Sequence, residues 1–291
     1  MPFYLGQSEE LSAGLRRIAC EQIDKALRLG ADTAVPLPER AHYLRICCKK
    51  MRGLLRLARP LLGDAFDAED EKYRGAAKQL AELRDMDVIV TTGQSLGTAT
   101  GATEAGRGQR APEAIRRCMA VLRECRSEIK GWPLDDADFS DIARGFRRTY
   151  RQCLDAWDAV LRDPTDANFH ALRRRTKYHW YHVRILERLN KKKIRPRRCA
   201  LRKLQLTLGS AHDLIILRTA QIEGAHPDRE FLRQATVRKW RLYEESMNLA
   251  AEVYSVPAGR LVREFSRFWA RRKVPHPVEE RMPARNASMA S

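Results

Sequence analysis

The chain is short of several things, and each shortage removes a class of protein. No apolar run approaches the ~20 residues needed to span a bilayer. Residues Met1 to Ser12 lack the basic-then-apolar pattern of a secretory signal, so the expected location is cytoplasmic. The seven cysteines are scattered, odd in number and without a C-x-x-C pair, which argues against a zinc site. Cys48 falls on an apolar helix face, where a buried reduced thiol is expected. There is no alternating pattern long enough for a sheet. There is no G-x-x-x-x-G-K-[ST] loop to cradle a nucleotide. Helix-turn-helix, zinc-finger and RNA-binding signatures are absent too. Negative charge is also scarce: 55 Lys and Arg face 37 acids, a balance of +18 over 291 residues. An excess of that size implies a polyanionic partner, such as nucleic acid, an acidic membrane or polyphosphate.

What the chain does have is helix periodicity with a second pattern laid beside it. Leu37, Ala41, Leu44, Cys48, Met51, Leu55, Ala58 and Leu62 step by four and three, the period of one apolar helix face. His42, Arg45, Lys49, Arg52, Arg56 and Arg59 follow the same steps one residue later, about 100° round the helix. Like charges at these spacings repel by roughly 0.2–0.5 kcal/mol per pair, so the stripe loses on the order of 1–2 kcal/mol. No acid between Arg40 and Leu62 relieves it. The stripe is therefore a solvated face, a face paired with acids of another helix, or a polyanion site.

A second copy favours the last of these. An offset of 128 carries His42, Arg45, Lys49 and Arg56 onto His170, Arg173, Lys177 and Arg184. The same offset carries Leu80 onto Leu208, Arg74 onto Arg202 and Asp85 onto Asp213, the sign of an internal duplication. The copy is imperfect, since Arg52 meets Trp180 and Arg59 meets Glu187.

Eight or nine helices are expected, and hence an all-α bundle protein. The first has Ser8 as N-cap and ends at Gly30; the second ends at Gly63. The third runs from about Asp67 to Thr92, and a Gly- and Thr-rich linker follows over Gly93 to Gly108. The fourth spans Pro112 to Lys130, with a boundary between halves at Trp132 and Pro133. A fifth covers Asp138 to Leu161, and Thr165 or Asp166 caps the sixth. Lys191, Lys192 and Lys193 are expected at the end of the sixth, where cations suit the helix dipole. Two helices over Arg195 to Gln221 and Pro227 to Tyr254 follow, then a short one from Pro257 to near Arg272. Residues 273–291 read as a disordered tail.

The motif H-x-x-R-x-x-x-K-K-x-R at 42–52, followed by L-x-x-L-R-D-M-D-V at 80–88, resembles the CHAD domain, the conserved histidine α-helical domain. H-x-x-R-x-x-x-K-Y-H-W-Y at 170–181 and L-Q-L-T-L-G-S-A-H-D-L at 204–214 are similar to the same family. The resemblance covers about residues 8 to 272, in halves of about 8–131 and 138–272. It implies two antiparallel four-helix bundles, binding of inorganic polyphosphate without catalysis, and no cofactor or metal. Targeting to polyphosphate granules is a further implication. Trp180 departs from the family, standing where a basic residue is common, and Arg184 stands where an acid is often found. The E-x-E-x-K strand of the triphosphate-tunnel enzymes that accompany such domains is missing.

If a pseudo-twofold relates the halves, the two stripe helices face each other across a central basic groove. The expected polyphosphate contacts are then His42, Arg45, Lys49, Lys50, Arg52, Arg56, Arg74 and Lys78 from the first half. His170, Arg173, Arg174, Lys177, Arg184, Arg198 and Arg202 are expected from the second. Arg supplies a planar fork to phosphate oxygens and Lys a mobile point charge. His42 and His170 read equally as structural donors or as phosphate donors. His179 aligns with Met51 and reads as packing; Tyr178, Trp180 and Tyr181 read as packing ahead of base stacking. Asp85, Asp87 and Asp213 read as structural partners of basic residues rather than as catalytic groups. Other polyanions remain candidate ligands, and a helical nucleic-acid-binding protein is the competing function.

Overall fold

The computed structural model describes residues 2–81, 105–223 and 228–272. Asp85, Asp87, the tail 273–291 and residues 93–104 of the Gly-rich stretch lie outside the described residues. Among those described there are nine α-helices and no strand. They are α1 (Leu11–Ala31), α2 (Leu37–Leu62), α3 (Ala65–Gln79), α4 (Ala105–Glu128), α5 (Phe139–Arg162), α6 (Asp166–Leu186), α7 (Lys191–Ile222), α8 (Arg229–Val253) and α9 (Ala258–Ala270). No helix is long and apolar enough to cross a membrane among the described residues.

Local chemistry sets most boundaries. Asp138 and Asp141 form a reciprocal capping box at the start of α5, and the Thr165 side chain caps α6. Gly63 takes φ 53°, a left-handed value that L side chains rarely adopt, so α2 stops there and α3 starts two residues later.

Four boundaries differ from the sequence reading, one of them the start of α4, which lies at Ala105 inside the Gly-rich stretch and not at Pro112, so Pro112 falls within the helix. The N-cap of α1 is Glu10, whose carboxylate accepts from the Ser12 and Ala13 N–H groups, and not Ser8. Helix α3 ends at Gln79, with Leu80 as its C-cap. Residues 191–193 begin α7 instead of ending α6, because Asn190 caps that turn by accepting from the Lys193 N–H. A single 3₁₀ turn, Glu187–Leu189, separates the two helices. Periodicity cannot see so short a break, since the apolar stripe continues through Leu189 and Ile194.

Helix α2 is the hub, packing against α1, α3, α4, α5 and α6. Its expected stripe, from Leu44 and Cys48 to Met51, Leu55 and Ala58, is fully buried. Leu54 and Leu57 are buried as well, because a second face of α2 meets the second half of the chain. Two glycines make that seam close. A Cβ at Gly53 would lie 2.9 Å from Tyr181 Cδ2 on α6. A Cβ at Gly145 on α5 would overlap the Leu57 carbonyl oxygen and sit 3.0 Å from that of Arg56. Pro60 has no N–H to offer the Arg56 carbonyl, which leaves that part of α2 open to close backbone approach.

Between the glycines, the fully buried His182 of α6 places Nε2 2.9 Å from the Gly53 carbonyl. A carbonyl only accepts, so His182 is the Nε2–H tautomer. Burial pushes its pKa down to about 3, ahead of the opposing pull of that hydrogen bond, so it is neutral at pH 7. His179 is fully buried against Phe146 and Tyr150, the packing role its register implied.

Before α1, the chain crosses to the second half. Phe3 and Leu5 are buried, the Leu5 N–H donates to the Ile185 carbonyl at 2.8 Å, and Gln7 donates to the Arg188 carbonyl.

Candidate anion-binding site

Helices α2 and α6 carry the two stripes and pack directly on each other. Their cationic rows meet at one pocket of about 250 Å³. Arg45, Lys49 and Arg52 line it from α2; His170, Arg173, Arg174, Lys177 and Tyr178 line it from α6; His212 reaches it from α7. Seven of the fifteen expected site residues are thus brought to one concavity.

The second-half wall has a regular register. Lys177 Nζ donates to Gln205 Oε1 at 2.9 Å. One turn back, Arg173 Nε lies 3.9 Å from where a Cβ at Gly209 would be. A further turn back, the His170 and His212 rings sit 4.7 Å apart. The contacts move down α6 as they move up α7, as two antiparallel helices require. In the first half, Arg45 meets the end of α3: its Nη1 donates to the Leu80 carbonyl at 3.0 Å. That end leaves carbonyls without intrahelical partners, which a guanidinium satisfies.

The first stripe divides along its length. At its C-terminal end, Arg52 and Arg56 both grip Asp70 of α3, at 2.9 Å and 2.5 Å. Burial raises the Asp70 carboxyl, but the hydrogen bonds from Arg56 and Arg52 outweigh it and hold its pKa below the usual value. The Arg56 guanidinium also lies over the Tyr178 ring, 4.1 Å from its centroid, and Arg59 over Phe66. Pairing with acids of another helix therefore describes this end, and Arg56 does not line the pocket. Arg45 and Lys49 face the second stripe instead.

The remaining expected residues lie elsewhere. Lys50 faces a separate concavity beside Lys25 and Tyr43, donating to Gln22 Oε1 at 2.6 Å. Exposed Arg74 pairs with Glu71. Lys78, His42 and Arg202 are exposed outside the pocket lining. Arg184 lies over Trp180 and Phe3, and Arg198 pairs with Glu187 at 2.9 Å. Tyr178 and His212 join the lining although the sequence did not single them out as contacts. The available signal for His212 was its place on the same α7 face as Gln205 and Gly209.

Crowding of charge leaves its mark on Lys177. Burial first, then the neighbouring Arg173 and Arg184, lower its amine to about 8. An anion would restore the charged form. Among the described residues, no group of three or more His, Cys, Asp or Glu is placed to hold a metal.

A family model, the CHAD domain, matches residues 17–220, more than half of the chain. The chain belongs to the CHAD family. The matched span begins inside α1 and ends inside α7, so both stripe helices and the pocket of this CHAD domain fall within it. No curated protein and no solved structure matches the chain.

Proposed function

We propose that this CHAD domain binds inorganic polyphosphate, without catalysis, in the groove between α2 and α6. One observation carries the reading: two cationic rows 128 residues apart in sequence line the same pocket. Polyphosphate is a thin chain with charge on every unit and no bases to read, so a row of Arg and Lys is what it requires. A pocket of about 250 Å³ is on the scale of small-ligand sites and favours such a chain over a duplex.

The same reading makes the fold a duplicated pair of four-helix bundles, in halves of about 8–131 and 138–272, related by a pseudo-twofold through the groove. The starts of α1 and α5, Leu11 and Phe139, stand at the repeat offset, and α2, α3 and α4 overlap α6, α7 and α8 at that offset. Helix α9 lies outside the repeat and packs on α5. A location in the cytoplasm, at polyphosphate granules, follows from the ligand.

The test is titration calorimetry with long-chain polyphosphate against a variant carrying Arg45→Ala, Lys49→Ala, Arg173→Ala and Lys177→Ala. Affinity should fall at least a hundredfold; unchanged affinity would place the site elsewhere. In competition, polyphosphate should displace DNA while DNA fails to displace polyphosphate, and the reverse order would favour the nucleic-acid reading. Release of phosphate on incubation with magnesium would revive an enzyme.

A further inference from the structure

A second basic concavity, of about 320 Å³, lies at the corner between α6 and α7. Arg188, Lys191, Arg195, Arg198, Glu187 and Tyr4 line it. Glu187 is engaged by Arg198 and the Tyr4 hydroxyl by Arg188, so four cations surround one acid that already has a partner. Lys191 and Arg195 are exposed, one turn apart, in the first turns of a 32-residue helix. Cations are unfavourable there, and this first turn holds three lysines and no acid. The fold accepts a local electrostatic loss at the mouth of a pocket, and an anion in that pocket would reverse it.

The two concavities are not isolated from each other. Arg184 stands between them on α6. It is near enough to depress the Lys177 amine of the first, and it is itself depressed, after burial, by repulsion from Arg198 of the second and from Arg202. Its guanidinium and the Lys177 amine lie over the same Trp180 ring, at 4.7 Å and 5.3 Å. Lys177 and Arg188 are eleven residues apart, nine along α6 and two in the 3₁₀ turn, a rise of roughly 17 Å.

We propose that the α6–α7 corner is a second phosphate site, holding the continuation of a chain whose other part lies in the groove. This rests on the groove reading and adds length selection to it. A chain too short to span the interval occupies the two concavities as separate molecules. A long chain occupies both at once and gains the advantage of an intramolecular second contact, a factor of about 10²–10⁴.

The experiment is titration calorimetry with tripolyphosphate and with long-chain polyphosphate, on the wild type and on the variant Lys191→Glu with Arg195→Glu. The substitutions touch only exposed residues, and Lys191→Glu places an acid in the first turn, where the dipole favours it, so the melting temperature should hold. For the wild type, two tripolyphosphates per chain and much tighter long-chain binding are expected. In the variant, one tripolyphosphate should remain and the long-chain advantage should fall at least tenfold. An undiminished long-chain advantage in the variant overturns the corner site but leaves the groove intact, provided Arg173→Ala with Lys177→Ala still removes tripolyphosphate from the groove. If that groove variant binds both ligands as the wild type does, the groove reading itself has failed.

Discussion

At the residue scale, buried His182 and half-buried Lys177 tie the molecule to pH, with stability rising with pH through both and ligand affinity falling with it through Lys177. His182 is held neutral, with a folded pKa of about 3 against an unfolded value near 6.5. Below pH 6.5 the unfolded chain therefore binds the proton and the folded chain does not, and stability falls as pH falls. Between pH 7 and 5 the loss should be about 2 kcal/mol for this residue. His182→Gln presents an amide donor to the Gly53 carbonyl and cannot titrate, so chemical denaturation should show a flatter pH profile over that window. Lys177 behaves the other way towards ligand. Its amine, at about 8, is charged at pH 7 and neutral at pH 9. Polyphosphate affinity should therefore drop between those values, and the drop should shrink in Lys177→Met. The free protein carries the reverse dependence: the unfolded lysine holds its proton above pH 8 and the folded one does not, so stability rises there.

At the element scale, the seam between α2 and α5 is a close backbone approach that a glycine permits. Gly145→Ala forces a methyl group into the Leu57 carbonyl, and overpacking of this kind costs about 1–3 kcal/mol or more. The melting temperature should drop by roughly 5–10 °C, since each kcal/mol moves a chain of this size by a few degrees. Gly145→Ser should do no better, which separates a steric cause from a helix-propensity one. The same elements show what the sequence could and could not tell. Both stripes and the ends of α2 and α5 were legible, because periodicity and caps are local. The second buried face of α2 was not, since Leu54 and Leu57 lie off the apolar stripe and are buried only by the other half. Nor was the grip of Asp70 on Arg52 and Arg56, which needs α3 folded back on α2. The lysines of 191–193 were misplaced because one 3₁₀ turn reassigns them from the tail of one helix to the head of the next.

At the scale of the whole molecule, part of the positive charge is gathered. Six Lys and Arg side chains line the α2–α6 groove and four line the corner beyond it, of 55 in the chain. Binding that neutralises about five cations, Arg45, Lys49, Arg173, Arg174 and Lys177, should release counterions. By analogy with single-stranded nucleic acid, log affinity should then fall against log salt with a slope of about −3 to −4. The slope measured for the fourfold alanine variant should be shallower by about 3, the share of the four contacts removed. A slope unchanged by those substitutions would mean that diffuse charge, and not the groove, holds the ligand.

The segment before α1 carries one more consequence. Gln7 bonds to a carbonyl 181 residues further along, the Leu5 N–H donates to the Ile185 carbonyl and Phe3 meets the Tyr181 ring, so α6 completes a burial that α1 and α2 begin. During synthesis these apolar side chains stay partly uncovered until the sixth helix has left the ribosome. The first half therefore reaches its finished form only after most of the second has been translated, and a stalled or truncated product would expose more of this apolar segment.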